Sequence, residues 1–300
     1  MSFKIIWELG EIYTAPLNFF LILLGMSYSS YHYGVFFNWR ILLFTLTLSF
    51  IHVAVNIFNN YMDYQNAKDE EYKTKTNIIG REQLKLSTVR KLFFVFLLLS
   101  MVTGAILTWS SDYFILLLGI VGYYVGLGYS YGIRPINSLP IAETIPAVLS
   151  GYMIPAMSVY LTAYGKTEIN GSFWGQTLLA FSPMVLCMFN NLLANNTCDL
   201  EEDIRNNRKT LVYYIGKKQS VRLLLVFLGL SFLVMVASVF LQAAPPTVLL
   251  SLLLLPLIIK LIQPYVRAQI KTQTFPLVLK AMSLMMVLYP VFYLLGSFSY

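Results

Sequence analysis

Apolar runs about 20 residues long recur along the whole chain with short polar gaps between them, and each is long enough to cross about 30 Å of hydrocarbon as a helix. The pattern predicts nine spans, at 15–34, 41–58, 92–110, 113–132, 143–163, 173–193, 222–242, 245–264 and 277–298. The first is diluted by Ser27, Ser29, Ser30 and His32, and the eighth carries Pro256 and Lys260. The expected fold is all-α and integral to a membrane: one transmembrane domain over 1–300, its nine helices in a ring. Residues 1–14 read as a short interfacial helix with aromatics and acids. Pro146, Gly151 and Pro155 predict a kinked fifth span. Gly122 and Gly126, one turn apart, predict close packing of the fourth.

Polar residues break this pattern most sharply at Asn191–Leu211, NLLANNTCDLEEDIRNNRKTL. Asn191, Asn195, Asp199, Asp203 and Asn207 recur every fourth residue, which stacks oxygen-bearing side chains along one helix face. Carboxylates one turn apart repel, so such a ladder calls for a divalent cation or a cationic partner against it. The second span ends similarly. Asn56 and Asn60 are one turn apart, as are Asn59 and Asp63; Asp69 comes next, and Lys68, Lys73, Lys75, Arg81 and Lys85 lie around and beyond it. The order of apolar span, amide-and-carboxylate helix end and basic loop thus occurs after span two and after span six. That predicts two pseudo-repeated four-helix units plus one further helix, with active-site loops at 59–91 and 197–221.

Composition agrees with a bilayer: 57% of residues are hydrophobic and 12% charged, against about 25% charged in soluble domains. The net charge of +7 would suit nucleic acid, but its distribution follows membrane topology instead. Of the 21 Lys and Arg, only Arg40 and Lys166 fall in loops after odd-numbered spans. The positive-inside rule then puts the N-terminus and both acidic motifs in the cytoplasm and the C-terminus outside a cell membrane. Glu8 and Glu11 precede the first span without a cleavage pattern, which argues against a removed signal peptide. Cys187 and Cys198 are too few for a disulfide framework. His52, inside span two, reads as a packed core residue.

Two oxygen-rich helix ends on one membrane face, each followed by Lys and Arg, suit a polyanion held through a hard cation. Mg²⁺ needs only a few carboxylates, completing its shell with phosphate oxygens and water. Basic residues cover the oxygens left over. If the polyanion is the diphosphate leaving group of an allylic ester, spreading its charge lowers the barrier to breaking the C–O bond. An apolar, aromatic interior would take the isoprenoid tail and keep water from the allylic cation.

Three stretches carry a family resemblance: NIFNNYMDYQNAKD, YSYGIRPI followed by Glu143, and LANNTCDLEEDIRNNRKTL with YYIGKK. Through them essentially the whole chain resembles the UbiA superfamily of intramembrane aromatic prenyltransferases. Its nearest likeness is to the menaquinone-pathway branch that prenylates 1,4-dihydroxy-2-naphthoate. The resemblance implies Mg²⁺ as cofactor, with Asn59, Asp63 and Asp69 as the first metal motif and Asn195, Asp199 and Asp203 as the second. It makes Asp63, Asp199 and Asp203 the catalytic acids and Lys68, Arg81, Arg134 and Lys209 the diphosphate contacts. It implies a polyprenyl diphosphate and an aromatic acceptor as substrates, membrane lipid as surroundings, and loss of the ring carboxylate as CO₂ to give a demethylmenaquinone. Two positions depart from the family pattern: Asn60 stands where many members have Asp, and Ala67 follows Asp63 by four. Two rival readings remain, a related enzyme using 4-hydroxybenzoate or haem, and an ion-coupled transporter. A transporter should keep its ionisable groups near the bilayer midplane, whereas these cluster at helix ends.

Overall fold

The computed structural model of the protein describes residues 2–67 and 69–298, and these form helices and connections with no strand among them. A short helix, α1 (Phe3–Leu9), leads into α2 (Ala15–Tyr33), α3 (Arg40–Asn66), the one-turn α4 (Ile78–Arg81), α5 (Leu86–Trp109) and α6 (Tyr113–Gly128). Then come α7 (Thr144–Val148), α8 (Ile154–Thr162), α9 (Gly171–Arg205), α10 (Leu211–Phe240), α11 (Leu255–Arg267) and α12 (Phe275–Ser297). Eight helical segments among the described residues are long and apolar enough to cross a membrane. The remaining expected span, the fourth, falls on the apolar helix α6, whose 16 residues, about 24 Å at 1.5 Å per residue, make it shorter than the other eight.

Side-chain caps set several helix starts. Asp112 Oδ1 accepts from the backbone N–H of Phe114 (3.0 Å) and Ile115 (3.3 Å) to begin α6, and Asn170 Oδ1 accepts from Phe173 N (3.0 Å) to begin α9. The fifth span breaks between α7 and α8, as its prolines and glycine predict, through a wide turn at Leu149–Met153. Gly151 there lies against α9, and a Cβ on it would meet the Val185 backbone at 2.6 Å. Likewise a Cβ on Gly25 would sit 2.3 Å from the Pro155 carbonyl, so α2 and α8 approach to backbone contact, reinforced by Ser158 Oγ donating to Ile22 O at 2.8 Å. The glycine packing expected of span four holds only in part. A Cβ on Gly126 would meet Val55 at 3.0 Å, whereas one on Gly122 would enter open space.

The main core gathers buried residues of α2, α8, α9, α10 and α12, among them Leu24, Leu161, Phe181, Met184, Leu224 and Tyr289. A smaller core joins Leu9 to Val53, Ile57, Ile78, Ile79 and Val89, which holds α1 and α4 against the end of α3. Phe3 and Trp7 stay exposed on α1, the amphipathic placement of an interfacial helix. His52 lies within hydrogen-bonding distance of Thr14 Oγ1 and Asn18 Nδ2 (3.1 Å each) and so ties α2 to α3. Residues 77–81 thereby fold back against the polar C-terminal end of α3.

Candidate functional site

Both acidic motifs lie on helix, because α3 and α9 run past the ends of their apolar stretches to Asn66 and Arg205. At the end of α3, Asn60 faces the backbone: its Nδ2 donates to Leu9 O (3.2 Å) and Asn56 O (3.1 Å). A carboxylate there has no hydrogen to donate, which explains Asn where aspartate was the expected residue. Asn77 Nδ2 donates to Asn60 O (3.0 Å) and Asn77 Oδ1 accepts from Ile79 N (2.9 Å), folding the loop back over the helix end. Asp69 Oδ1 accepts from Glu71 N (2.9 Å) and Tyr72 N (3.3 Å), starting the turn Tyr72–Thr76. Its carboxylate therefore serves the loop backbone.

Asp63 and Asn59 remain. Asp63 is ion-paired with Arg208, from the loop after α9. Asn59 Oδ1 is buried with no hydrogen-bond partner among the described residues. At the end of α9, Asp199 pairs with Lys271, which also donates to Asn195 Oδ1 (2.7 Å); Asn195 Nδ2 donates in turn to Asp199 Oδ2 (3.2 Å). Asp203 is buried one turn on. Arg208 feels the charges of both Asp63 and Asp203, which hold its guanidinium above the ordinary range despite its burial. Its backbone N–H donates to Asp203 O at 2.8 Å while its side chain pairs with Asp63, so it links the two helix ends. Burial and, after it, the charge of Asp63 push the Tyr72 phenol up to about 12.

Glu143, fully buried before α7, accepts from Asn196 Nδ2 at 2.8 Å, while its Oε2 has no partner among the described residues. Burial raises its carboxyl above the ordinary 4.5. Burial raises the phenol of Tyr129 too, and the charges of Arg208, Glu143, Asp63 and Asp203 act on it.

Of the expected diphosphate contacts, Arg81 is ion-paired with Glu8 and Glu82 at the surface. Arg134 is exposed. Lys209 is exposed with its Nζ 5.4 Å from the Tyr213 ring centroid, and its backbone N–H donates to Ser138 O at 3.2 Å. Lys68 lies outside the described residues. The cations that do touch the acids are Arg208 and Lys271, which the sequence reading passed over. Arg208 adjoins Lys209 in a visible basic pair, but Lys271 follows Asp199 by 72 residues and no local spacing links them.

The donor set is hard oxygen throughout, and Asn59 Oδ1 is a buried acceptor awaiting a donor or a cation. No three Asp, Glu, His or Cys among the described residues gather into a closed cage. A Mg²⁺ ion held by these oxygens would complete its shell with substrate oxygens and water.

The sequence pattern of the UbiA prenyltransferase family matches residues 18–284. Among curated proteins the chain is similar to the 1,4-dihydroxy-2-naphthoate octaprenyltransferase of Bacillus subtilis (strain 168), 26% identical over 268 residues, covering 88% of this chain and 83% of that protein. Among solved structures it is similar to the apo form of a UbiA homolog from Aeropyrum pernix K1, with a TM-score of 0.69 at 14% identity over 92% of this chain and 97% of that one. It is also similar to a UbiA homolog from Archaeoglobus fulgidus bound to GPP and Mg²⁺, with a TM-score of 0.61 at 15% identity over 99% of this chain and 100% of that one. At these identities the structural likeness speaks to fold.

Proposed function

The chain belongs to the UbiA prenyltransferase family and is a multi-pass membrane prenyltransferase, and on that premise we propose that it moves a polyprenyl group from its diphosphate to 1,4-dihydroxy-2-naphthoate. The carboxylate is lost as CO₂ and the product is a demethylmenaquinone. The observation that carries this reading is Arg208, whose side chain is ion-paired with Asp63 at the end of α3 and whose backbone N–H donates to Asp203 O at the end of α9. The acceptor is supported by the name of the Bacillus subtilis relative.

Asp63, Asp199 and Asp203, with Asn59 and Asn195, would hold Mg²⁺. When bound, that ion supplies charge neutralisation to a departing diphosphate. Arg208 and Lys271 already neutralise the acids, and as a polyanion enters they are the nearest cations to turn toward it, with Lys209 and Arg134 at the rim and Arg81 farther out. Glu143 positions Asn196 and through it the middle of the α9 ladder. The apolar helical interior excludes water from the allylic carbon. By the positive-inside rule the N-terminus and this site face the cytoplasm of a cell membrane and the C-terminus lies outside.

The test is turnover. Purified protein receives Mg²⁺, a polyprenyl diphosphate and a panel of aromatic acids, and products are identified by mass. Prenylated, decarboxylated naphthol is the expected product, and transfer to 4-hydroxybenzoate alone would overturn the acceptor assignment.

A further inference from the structure

At the membrane face opposite the carboxylate motifs, a cavity of about 510 Å³ opens between the end of α2, the start of α9 and the turn after α10. Its inner wall holds Tyr28, 2% exposed, and Phe173, with Gln176 among them. Gln176 Oε1 is buried and has no hydrogen-bond partner among the described residues. Its rim carries Lys166 and Glu168, which form no ion pair among the described residues. The residues on α2 and α9 lie within the last or first two turns of those helices, the depth at which headgroups meet hydrocarbon. Beside the mouth, Phe240 and Leu241 are exposed and apolar.

A cation and an anion on one rim, not satisfying each other, are complementary to a zwitterion. A buried amide oxygen lacking a donor asks for an N–H or O–H, and a primary ammonium offers three. We infer that this cavity holds the headgroup of a primary-amine phospholipid, its phosphate toward Lys166 and its ammonium among Glu168, Gln176 Oε1 and the Tyr28 hydroxyl. The acyl chains then run down the surface at Phe240 and Leu241. The aromatic wall adds attraction for the ammonium. This site is independent of the prenyl-transfer reading, and its test involves no turnover.

The full-length protein in detergent is mixed with equal amounts of phosphatidylethanolamine, its mono-, di- and trimethylated forms and phosphatidylglycerol, all with the same acyl chains, and lipid retention is read by native mass spectrometry. Phosphatidylethanolamine should be retained about fivefold over the trimethylated lipid, the worth of one net hydrogen bond, with a stepwise fall as N–H groups are lost. Glu168→Gln combined with Gln176→Leu should erase that preference, and Lys166→Gln should weaken all five lipids alike. Equal retention across the methylation series in the unaltered protein refutes the proposal, even if the double variant fails to fold. So does a preference that survives in the folded double variant, or displacement of the lipid by a short-chain prenylated naphthol.

Discussion

The two acidic helix ends look alike in sequence but differ in what their side chains do. At the α3 end, Asn60 and, in the loop beyond it, Asp69 serve backbone groups, and Asp63 faces a cation from elsewhere in the fold. On α9, Asn195 and Asp199 share Lys271, and Asp203 stays buried beside Arg208. The α3 end is chiefly a scaffold that presents one acid and one amide oxygen without a partner among the described residues; the α9 end gathers its side-chain oxygens around Lys271.

The largest effects should separate these roles most cleanly. Asp203→Ala or Asp199→Ala is expected to lower prenyl transfer at least about a hundredfold while the protein stays inserted. Asp69→Ala should cost about 1 kcal/mol of stability as a lost cap and retain Mg²⁺-dependent activity. Mg²⁺ titrations of rate and thermal unfolding of the three variants check this, and equal losses in all three would make the helix ends equivalent after all.

Arg208→Gln leaves Asp63 and Asp203 without their shared cation. Without metal the variant should unfold about 2 kcal/mol more easily, a figure reduced from that of a fully buried pair because both side chains are partly exposed. Added Mg²⁺ should recover part of this loss. A variant as stable as the parent in EDTA would show that Arg208 does not join the two ends.

Asn60→Asp replaces two donated hydrogen bonds with a carboxylate against two carbonyls. A cost of about 1–2 kcal/mol is expected, with no tightening of Mg²⁺ binding; a lower Mg²⁺ requirement would instead place position 60 in the metal motif.

The smallest effect concerns Glu143. Burial raises its carboxyl, so the folded protein binds its proton more tightly than the unfolded chain does. Stability from this group is full below its ordinary value of 4.5 and declines as pH rises through the raised one. Glu143→Gln should therefore flatten the fall in melting temperature over that window, and parallel curves for both proteins would assign the decline to another group.

Much of this was legible in the chain because its signals are local. Twenty-residue apolar runs mark helices wherever they lie, and the fourfold spacing of Asn195, Asp199 and Asp203 puts them on one helix face without reference to any neighbour. Span four ran long for a local reason too: its glycines and tyrosines extend the apolar run to 132, but the helix stops at Gly128. Long-range pairing was hidden. Nothing near Asp63 announces Arg208, 145 residues away, and an expected ligand such as Asp69 looks the same in sequence whether it faces a cation or the backbone two residues on.

The sequence by itself determined that this chain is a bundle of membrane-crossing helices with acidic turns at two of their ends, since burial in lipid and helical periodicity act residue by residue. Only the tertiary structure decided which acids are free and which cations answer them. Charge pairing depends on the distance between helices far apart in the chain, and that distance is fixed by packing such as the backbone contact at Gly25 and Gly151.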